Sequence, residues 1–138
     1  MAFRIQQPVR HPDVDRAGIV YFPRFYDFFH RALEDFFRDE VGIPYYDLAE
    51  KLGISLPVVR IESDFESPLA HGDLVTVELE TEKIGVHALT LRYRVLRPGA
   101  TTPAAVSRVV VCAIEVPSWR KAPLPEQVRR AFERHLAR

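Results

Sequence analysis

The chain has 138 residues, and its 19 Lys and Arg residues balance its 19 Asp and Glu residues, so no net charge attracts it to nucleic acid or to an anionic membrane. Its apolar content of 47% suffices for one hydrophobic core, which predicts a single domain over residues 1–138. A single cysteine excludes an internal disulfide framework, and no apolar run reaches the ~20 residues that cross a bilayer. We therefore expect a cytoplasmic protein with neither a membrane nor a nucleic acid as partner.

The first half of the chain predicts an edge strand and a long helix. Residues 3–10 read as a short strand near a sheet edge, because Pro8 lacks the N–H that a central strand needs. From Pro23 to Arg38 the pattern is helical, with apolar residues at spacings of three and four: Phe25, Phe28, Phe29, Ala32, Leu33, Phe36 and Phe37. This stripe is wide, so we expect the helix to be engulfed by the rest of the protein. Gly42 and Pro44 should end it, and a short helix should follow over residues 45–51.

After Gly53 the apolar period changes to two, which indicates strands over residues 56–66, 75–80, 87–97 and 104–116, followed by a closing helix over residues 126–136. Val59, Ile61 and Phe65 should share one face of their strand, and the strand over residues 87–97 should point Leu89, Leu91, Tyr93 and Val95 inward. Residues 104–116 are nearly all apolar, which predicts a central strand covered on both faces. The elements add up to an α+β fold, with a five-stranded antiparallel sheet wrapped around the long helix. Such a hydrophobic helix and strand indicate that self-association completes the burial.

Candidate chemical groups concentrate in HPDVDRAG and FYDFFHRA, and the phosphate-loop, dinucleotide-binding and nucleophile-elbow motifs do not occur. Asp15 has two interpretations. It can stabilise its own turn through Asx-type hydrogen bonds. Alternatively, it can attack a carbonyl or activate water beside the amides near Tyr21 and Phe22, because a helix N-terminus stabilises a developing oxyanion.

The stretch DRAGIVYFPRFYDFF resembles the D-x-A-G-I-V-x-[FY]-P-x-[FY] signature of hotdog-fold acyl-CoA thioesterases of the 4-hydroxybenzoyl-CoA thioesterase family. VRIESDFESPLAHGD and RKAPLP are similar to further segments of that family, so the resemblance covers nearly the whole chain. It implies the hotdog fold, and a dimer or tetramer with active sites at the subunit interface. By position, Asp15 falls on the catalytic carboxylate, which acts as nucleophile or general base. Gly18 falls on a close-approach glycine, and the Phe22 amide on the donor that faces the thioester carbonyl.

Five further residues are candidates for substrate binding. Tyr21 and Tyr26 should line the acyl cavity, and His30 occupies a helix position where the family carries another polar residue in the acyl pocket. A histidine at the edge of an apolar stripe can equally be a partly buried side chain with a structural role. Lys83 and His87 are the basic residues in the segment EKIGVHAL, where well-known members bind the nucleotide of coenzyme A. His11, Asp13 and Asp15 alternate like metal ligands, yet Pro12 disfavours a regular strand, and we expect no metal.

The resemblance implies hydrolysis of an acyl-CoA to the free acid and coenzyme A, with an aromatic or short- to medium-chain acyl group. No cofactor is expected, since coenzyme A is part of the substrate. Two alternatives remain open at this point: a hydratase or dehydratase of acyl thioesters on the same fold, and a non-catalytic acyl-CoA binding protein. Delivery of the acyl group by an acyl carrier protein also remains open.

Overall fold

The long helix lies at the centre of the structure, a computed structural model that describes residues 2–137. Helix α1 runs over Arg24–Phe36 and continues through a wider π-helical turn over Phe37–Val41, so it extends beyond the predicted end at Arg38. All seven apolar residues of the predicted stripe are at most 4% exposed. Among residues 2–137, no helix combines the length and apolar character that a bilayer span requires.

A five-stranded antiparallel sheet wraps around α1, as predicted. In chain order the strands are β1 (Phe3–Pro8), β2 (Ile54–Ser55), β3 (Val58–Phe65), β4 (Leu74–Ile84), β5 (Ala88–Leu96), β6 (Ala105–Cys112) and β7 (Ile114–Glu115). The sheet has the spatial order β1-β4-β5-β6-β3, while β2 and β7 form a separate two-stranded ribbon. Helix α2 (Leu48–Leu52) follows a 3₁₀ turn over Tyr45–Asp47, and α3 (Glu126–Glu133) closes the chain beside β4.

Strand β3 forms one edge of the sheet and contains a β-bulge. Val58 pairs with Val111 and Arg60 with Val110, so Val59 is an extra residue without a partner on β6. As a result Val58, rather than the predicted Val59, shares the inner face with Ile61 and Phe65. All three remain substantially exposed, because β3 has no neighbouring strand on its outer side in this chain.

Residues 104–116 contain an interior strand with a neighbour on each side, β6, but the prediction that both of its faces are covered is wrong. Strand β5 occupies the centre, and the side chains of β6 alternate between buried and more exposed positions, with Arg108 exposed. The outer face of the sheet carries ion pairs, such as Arg108 Nε to Glu82 Oε2 at 2.7 Å and Arg92 Nη2 to Glu80 Oε1 at 2.9 Å. The aliphatic portions of long charged side chains can cover short apolar residues on an outer face. A nearly continuous run of apolar residues in a strand therefore does not prove that both of its faces are buried in the core.

Gly42 ends α1 in a left-handed conformation, with φ of 83° and its N–H donating to the Phe37 carbonyl at 2.7 Å. An added Cβ would meet no atom within 4 Å, so a substitution there tests the backbone conformation alone. We expect Gly42→Ala to lower the free energy of unfolding by about 1 kcal/mol in urea denaturation. Gly85→Ala is the matched control, since its added Cβ would have ordinary contacts of 3.5 Å and longer, and it should change stability by less than about 0.5 kcal/mol. Equal losses in the two variants would contradict the explanation.

Candidate active site

Asp15 lies on a small hairpin directly before α1. Its N–H donates to the Ile19 carbonyl at 2.9 Å, and its own carbonyl accepts the Gly18 N–H at 3.0 Å. Its Oδ1 accepts the Ala17 N–H at 2.8 Å, so the Asx turn considered from the sequence is present. The side chain is exposed, and its Oδ2 has no hydrogen-bond partner among residues 2–137. The turn therefore uses one carboxylate oxygen and leaves the other accessible.

Gly18 provides the turn of this hairpin, with φ of 81°. Its carbonyl accepts the His71 N–H at 3.2 Å, which joins the hairpin to the loop before β4. An added Cβ would meet nothing within 4 Å, so the backbone conformation, not crowding within this chain, favours glycine here.

The Phe22 N–H is free of protein acceptors within the described part of the chain. Its neighbours are engaged: the amides of Arg24, Phe25 and Tyr26 donate to the carbonyls three residues earlier. Phe22 is 58% exposed, and Pro23 has no N–H. Phe22 thus offers an unpaired backbone donor in an exposed residue immediately before α1.

The Tyr21 amide does not belong to this donor set, contrary to the sequence-based prediction for the amides around Tyr21 and Phe22. It donates to the Asp13 carbonyl at 2.9 Å, because the two sides of the hairpin pair there. Asp13 itself is buried, and its carboxylate accepts from Arg24 Nε at 3.2 Å and the Arg10 N–H at 2.9 Å. Asp13 therefore supports the entry to α1. Residues 2–137 contain no group of three His, Cys, Asp or Glu side chains placed to hold a metal ion.

A cavity of about 220 Å³ lies between α1, the inner face of the sheet and β3. Helix α1 contributes Tyr26, Phe29, His30 and Leu33 to its wall, and the sheet contributes Tyr93, Val109 and Val111. The remaining wall consists of Tyr45, the segment before β3 and two residues of β3: Leu56, Pro57, Val58 and Ile61. Four of these side chains carry aromatic six-membered rings, so the cavity presents mainly flat apolar surfaces with a few polar atoms.

The hydroxyls of two tyrosines in the cavity wall form hydrogen bonds with other protein groups. The Tyr26 hydroxyl donates to Ser63 Oγ at 3.0 Å, and Ser63 Oγ lies 2.8 Å from Ser107 Oγ. The Tyr45 hydroxyl donates to the Leu56 carbonyl at 3.5 Å. Burial, assisted by the nearby Glu34 carboxylate, raises the pKa of Tyr45, so this phenol stays protonated near neutral pH.

His30 lines the cavity at its solvent-exposed side. Its ring meets the Tyr45 ring edge-on with centroids 5.0 Å apart, and its Nε2 lies 3.7 Å from Glu34 Oε1. The imidazole is therefore open both to solvent and to the cavity.

The match to a known protein family covers most of the chain. The family model described as Thioesterase-like superfamily matches residues 9–132. The chain belongs to this superfamily. A 1,4-dihydroxy-2-naphthoyl-CoA hydrolase from Nostoc punctiforme is 30% identical over 128 residues, which cover 93% of this chain and 84% of that protein.

Solved structures agree with this assignment. A 1,4-dihydroxy-2-naphthoyl-CoA thioesterase from Synechocystis superposes with a TM-score of 0.87 at 26% identity, over 96% of each chain. A gentisyl-coenzyme A thioesterase superposes with a TM-score of 0.82 at 25% identity, over 94% of this chain and 99% of that one. The predicted hotdog fold is confirmed, and the protein is a thioester hydrolase that acts on acyl-CoA.

Lys83 and His87 of this thioesterase lie at the opposite end of the sheet from Asp15. Strand β4 begins beside the loop that bonds to Gly18, and Lys83 is near its far end, roughly 30 Å away at the usual rise per strand residue. His87 follows in the turn to β5, and its Nδ1 is buried without a hydrogen-bond partner within residues 2–137. Within one chain, these two residues are not brought to Asp15.

Tyr45 and Tyr93 are cavity residues that the sequence analysis did not single out. Tyr93 was predicted to face inward on β5, and it is 2% exposed, but it looked like one core residue among Leu89, Leu91 and Val95. The sequence feature that could have singled out Tyr93 was a phenol among aliphatic residues, since a buried tyrosine hydroxyl usually needs a polar partner. Tyr21 is exposed and does not belong to the wall of this cavity, so its predicted contact with the acyl group stays a prediction.

Proposed function

We propose that this thioesterase hydrolyses the thioester bond of an aromatic acyl-CoA, with the aryl group bound in the cavity between α1 and β3. The observation that carries the proposal is the wall of this cavity, where Tyr26, Phe29, Tyr45 and Tyr93 present their rings. Aromatic rings favour offset-stacked and edge-on contacts with another ring. The similar proteins named as 1,4-dihydroxy-2-naphthoyl-CoA hydrolases and gentisyl-CoA thioesterase support an aromatic acyl group.

Asp15 is the proposed catalytic carboxylate. It either attacks the thioester carbonyl carbon to form a mixed anhydride, or removes a proton from a water that attacks the same carbon. Both routes displace the coenzyme A thiolate, add one water and release the carboxylic acid, so the reaction needs no cofactor. The accessible Oδ2 of Asp15 supports this role, because the Asx turn leaves it free.

The Phe22 amide is the proposed oxyanion donor. The tetrahedral intermediate carries its negative charge on the former carbonyl oxygen, which needs a preorganised donor. The Phe22 N–H is unpaired within residues 2–137 and belongs to an exposed residue, and the N-terminus of α1 adds a favourable dipole. Gly18 contributes by allowing the turn that holds Asp15 ahead of the helix.

We propose that the functional unit is a homodimer that associates along β3. Two such dimers could pair further into a tetramer through other surfaces. Val58, Val59, Ile61 and Phe65 are all between 44% and 61% exposed, on an edge strand with free backbone groups. An exposed apolar edge promotes association unless another strand covers it. Antiparallel pairing of β3 with its copy satisfies a twofold axis and covers this edge.

This pairing also explains the separation of Lys83 and His87 from Asp15. Antiparallel alignment sets the Val58 end of one β3 beside the Phe65 end of the other. The turn between β4 and β5 of one copy then lies at the same end of the joined sheet as the Asp15 hairpin of the second copy. We propose that Lys83 and His87 act across the interface, with Lys83 meeting the coenzyme A phosphates.

A panel of acyl-CoAs tests the proposed substrate class. We expect kcat/KM for benzoyl-CoA or a hydroxybenzoyl-CoA to exceed that for hexanoyl-CoA by at least about tenfold, because each contact between two aromatic rings contributes about 0.5–1.5 kcal/mol beyond the buried area and the wall offers four rings. Thiol release followed with a thiol-reactive dye gives the rates. A higher kcat/KM for the straight-chain substrates would overturn the aromatic assignment while leaving the thioesterase activity intact.

A further inference from the structure

Tyr93 is a polar residue in the cavity that the structure leaves without a protein partner. Of the three tyrosines in the cavity wall, Tyr26 and Tyr45 donate to Ser63 Oγ and the Leu56 carbonyl. The Tyr93 hydroxyl has no acceptor within the described residues, although the residue is only 2% exposed, and its oxygen is not among the fully enclosed unpaired side-chain atoms of residues 2–137, so it borders the open space of the cavity. Buried hydroxyls are normally paired, since leaving one unpaired is unfavourable.

The surroundings of Tyr93 fix its ring in one place. It lies on β5, the middle strand of the sheet, and stacks on Phe29 of α1 with ring centroids 5.0 Å apart and an interplanar angle of 25°. Because the ring is attached to the middle strand of the sheet and stacked on Phe29 of the helix, the hydroxyl cannot turn toward a distant acceptor. Packing alone therefore fixes the position of the hydroxyl, as in a preorganised binding site.

The hydroxyl remains a hydrogen-bond donor under ordinary conditions. Burial, with a contribution from nearby Tyr45, raises the pKa of Tyr93 far above its usual value, so the phenol stays protonated. Since the residue lines the cavity, a bound ligand can accept a hydrogen bond from it in place of water.

We propose that Tyr93 selects the acyl group by donating a hydrogen bond to a polar substituent on its ring, so that hydroxylated aryl groups are preferred over unsubstituted ones. This inference rests on the proposed function, since it assumes that the aryl group occupies the cavity. A site that hydrogen-bonds a substrate hydroxyl discriminates strongly against the analogue without it, because the buried protein group is then left unpaired. The role is one of specificity, separate from the attack by Asp15.

The test compares Tyr93→Phe with Tyr26→Phe on benzoyl-CoA and its 2-, 3- and 4-hydroxy analogues. We expect the wild-type protein to prefer at least one hydroxy analogue, and Tyr93→Phe to lower that kcat/KM ratio by at least about tenfold. Tyr26→Phe removes a hydroxyl that is bonded to Ser63, so it should alter all substrates together and keep the ratio. Thermal unfolding should show no loss of stability in Tyr93→Phe, because no protein hydrogen bond is removed.

The outcomes separate this inference from the proposed function. If the wild-type protein hydrolyses benzoyl-CoA without preferring any hydroxy analogue, or if Tyr93→Phe keeps the preference, the role of Tyr93 is overturned and the aromatic assignment stands. If Tyr93→Phe lowers all four rates equally, the residue is structural and the inference also fails. If no aromatic substrate is hydrolysed while hexanoyl-CoA is, both proposals fail together.

Discussion

Replacing Asp15 by asparagine should lower kcat for acyl-CoA hydrolysis by about 10²–10⁴-fold, the usual effect of losing a catalytic acid or base. Asparagine keeps a side-chain oxygen that can accept the Ala17 N–H, so the Asx turn survives the change. The substitution removes the negative charge and the basicity that attack on the thioester requires. Thiol release under saturating substrate measures the loss, and thermal unfolding should show a stability close to that of the wild-type protein.

Asp73→Asn is the matched control for this prediction. Asp73 Oδ2 also accepts a backbone N–H within a turn, from Ala70 at 3.0 Å. If Asp15 serves its turn alone, the two variants should behave alike, and a small effect in both would refute the catalytic role.

Single turnover in ¹⁸O-labelled water separates the two possible attacks by Asp15. Label that enters the Asp15 carboxylate indicates a mixed anhydride, in which Asp15 is the nucleophile. Label confined to the product acid indicates that Asp15 acts as a general base toward water.

Val59→Lys should convert the proposed dimer into monomers and lower the hydrolysis rate by at least about tenfold. Val59 is 61% exposed, lies on the edge strand β3 and does not line the cavity, so a lysine there is compatible with the folded chain. An ammonium group on an edge strand opposes strand-to-strand association, because pairing would bury its charge. Light scattering after size-exclusion chromatography measures the mass, and thiol release measures the activity.

Tyr46→Lys provides the control, since Tyr46 is 83% exposed but lies outside the sheet, in the 3₁₀ turn before α2. It should leave the oligomeric state unchanged. A dimeric Val59→Lys protein would show that β3 is not the contact. A monomeric protein with wild-type activity would show that each site is complete within one chain.

The helix and the strands that surround it were predictable because their patterns repeat. The apolar stripe of α1 extends over more than three turns, and every predicted member is buried. The period-two alternation of β5 identified its inner face for the same reason. The catalytic role predicted for Asp15 rests on the motif, since a single acid before a helix is compatible with a turn as well as with catalysis.

Other features depend on contacts between distant parts of the chain, which a local pattern does not contain. The bulge at Val59 is a mismatch between β3 and β6, so the alternation of β3 alone selected the wrong valine. Tyr45 and Tyr93 are separated by almost fifty positions in sequence, and only the folded chain brings them to one cavity. The Tyr21 amide was assigned wrongly because its acceptor, the Asp13 carbonyl, lies across a hairpin that the sequence did not reveal.

The hydrogen bonds among Tyr26, Ser63 and Ser107 join three parts of the molecule: the helix, the edge strand and the sheet interior. These hydrogen bonds hold β3 against α1, because the strand cannot move away from the helix without breaking them. The separation of helix and strand is consequently restrained at Tyr26, and four residues of the wall follow α1 lengthwise from Tyr26 to Leu33. We expect a wall restrained in this way to admit thin, rigid molecules more readily than branched ones of equal mass.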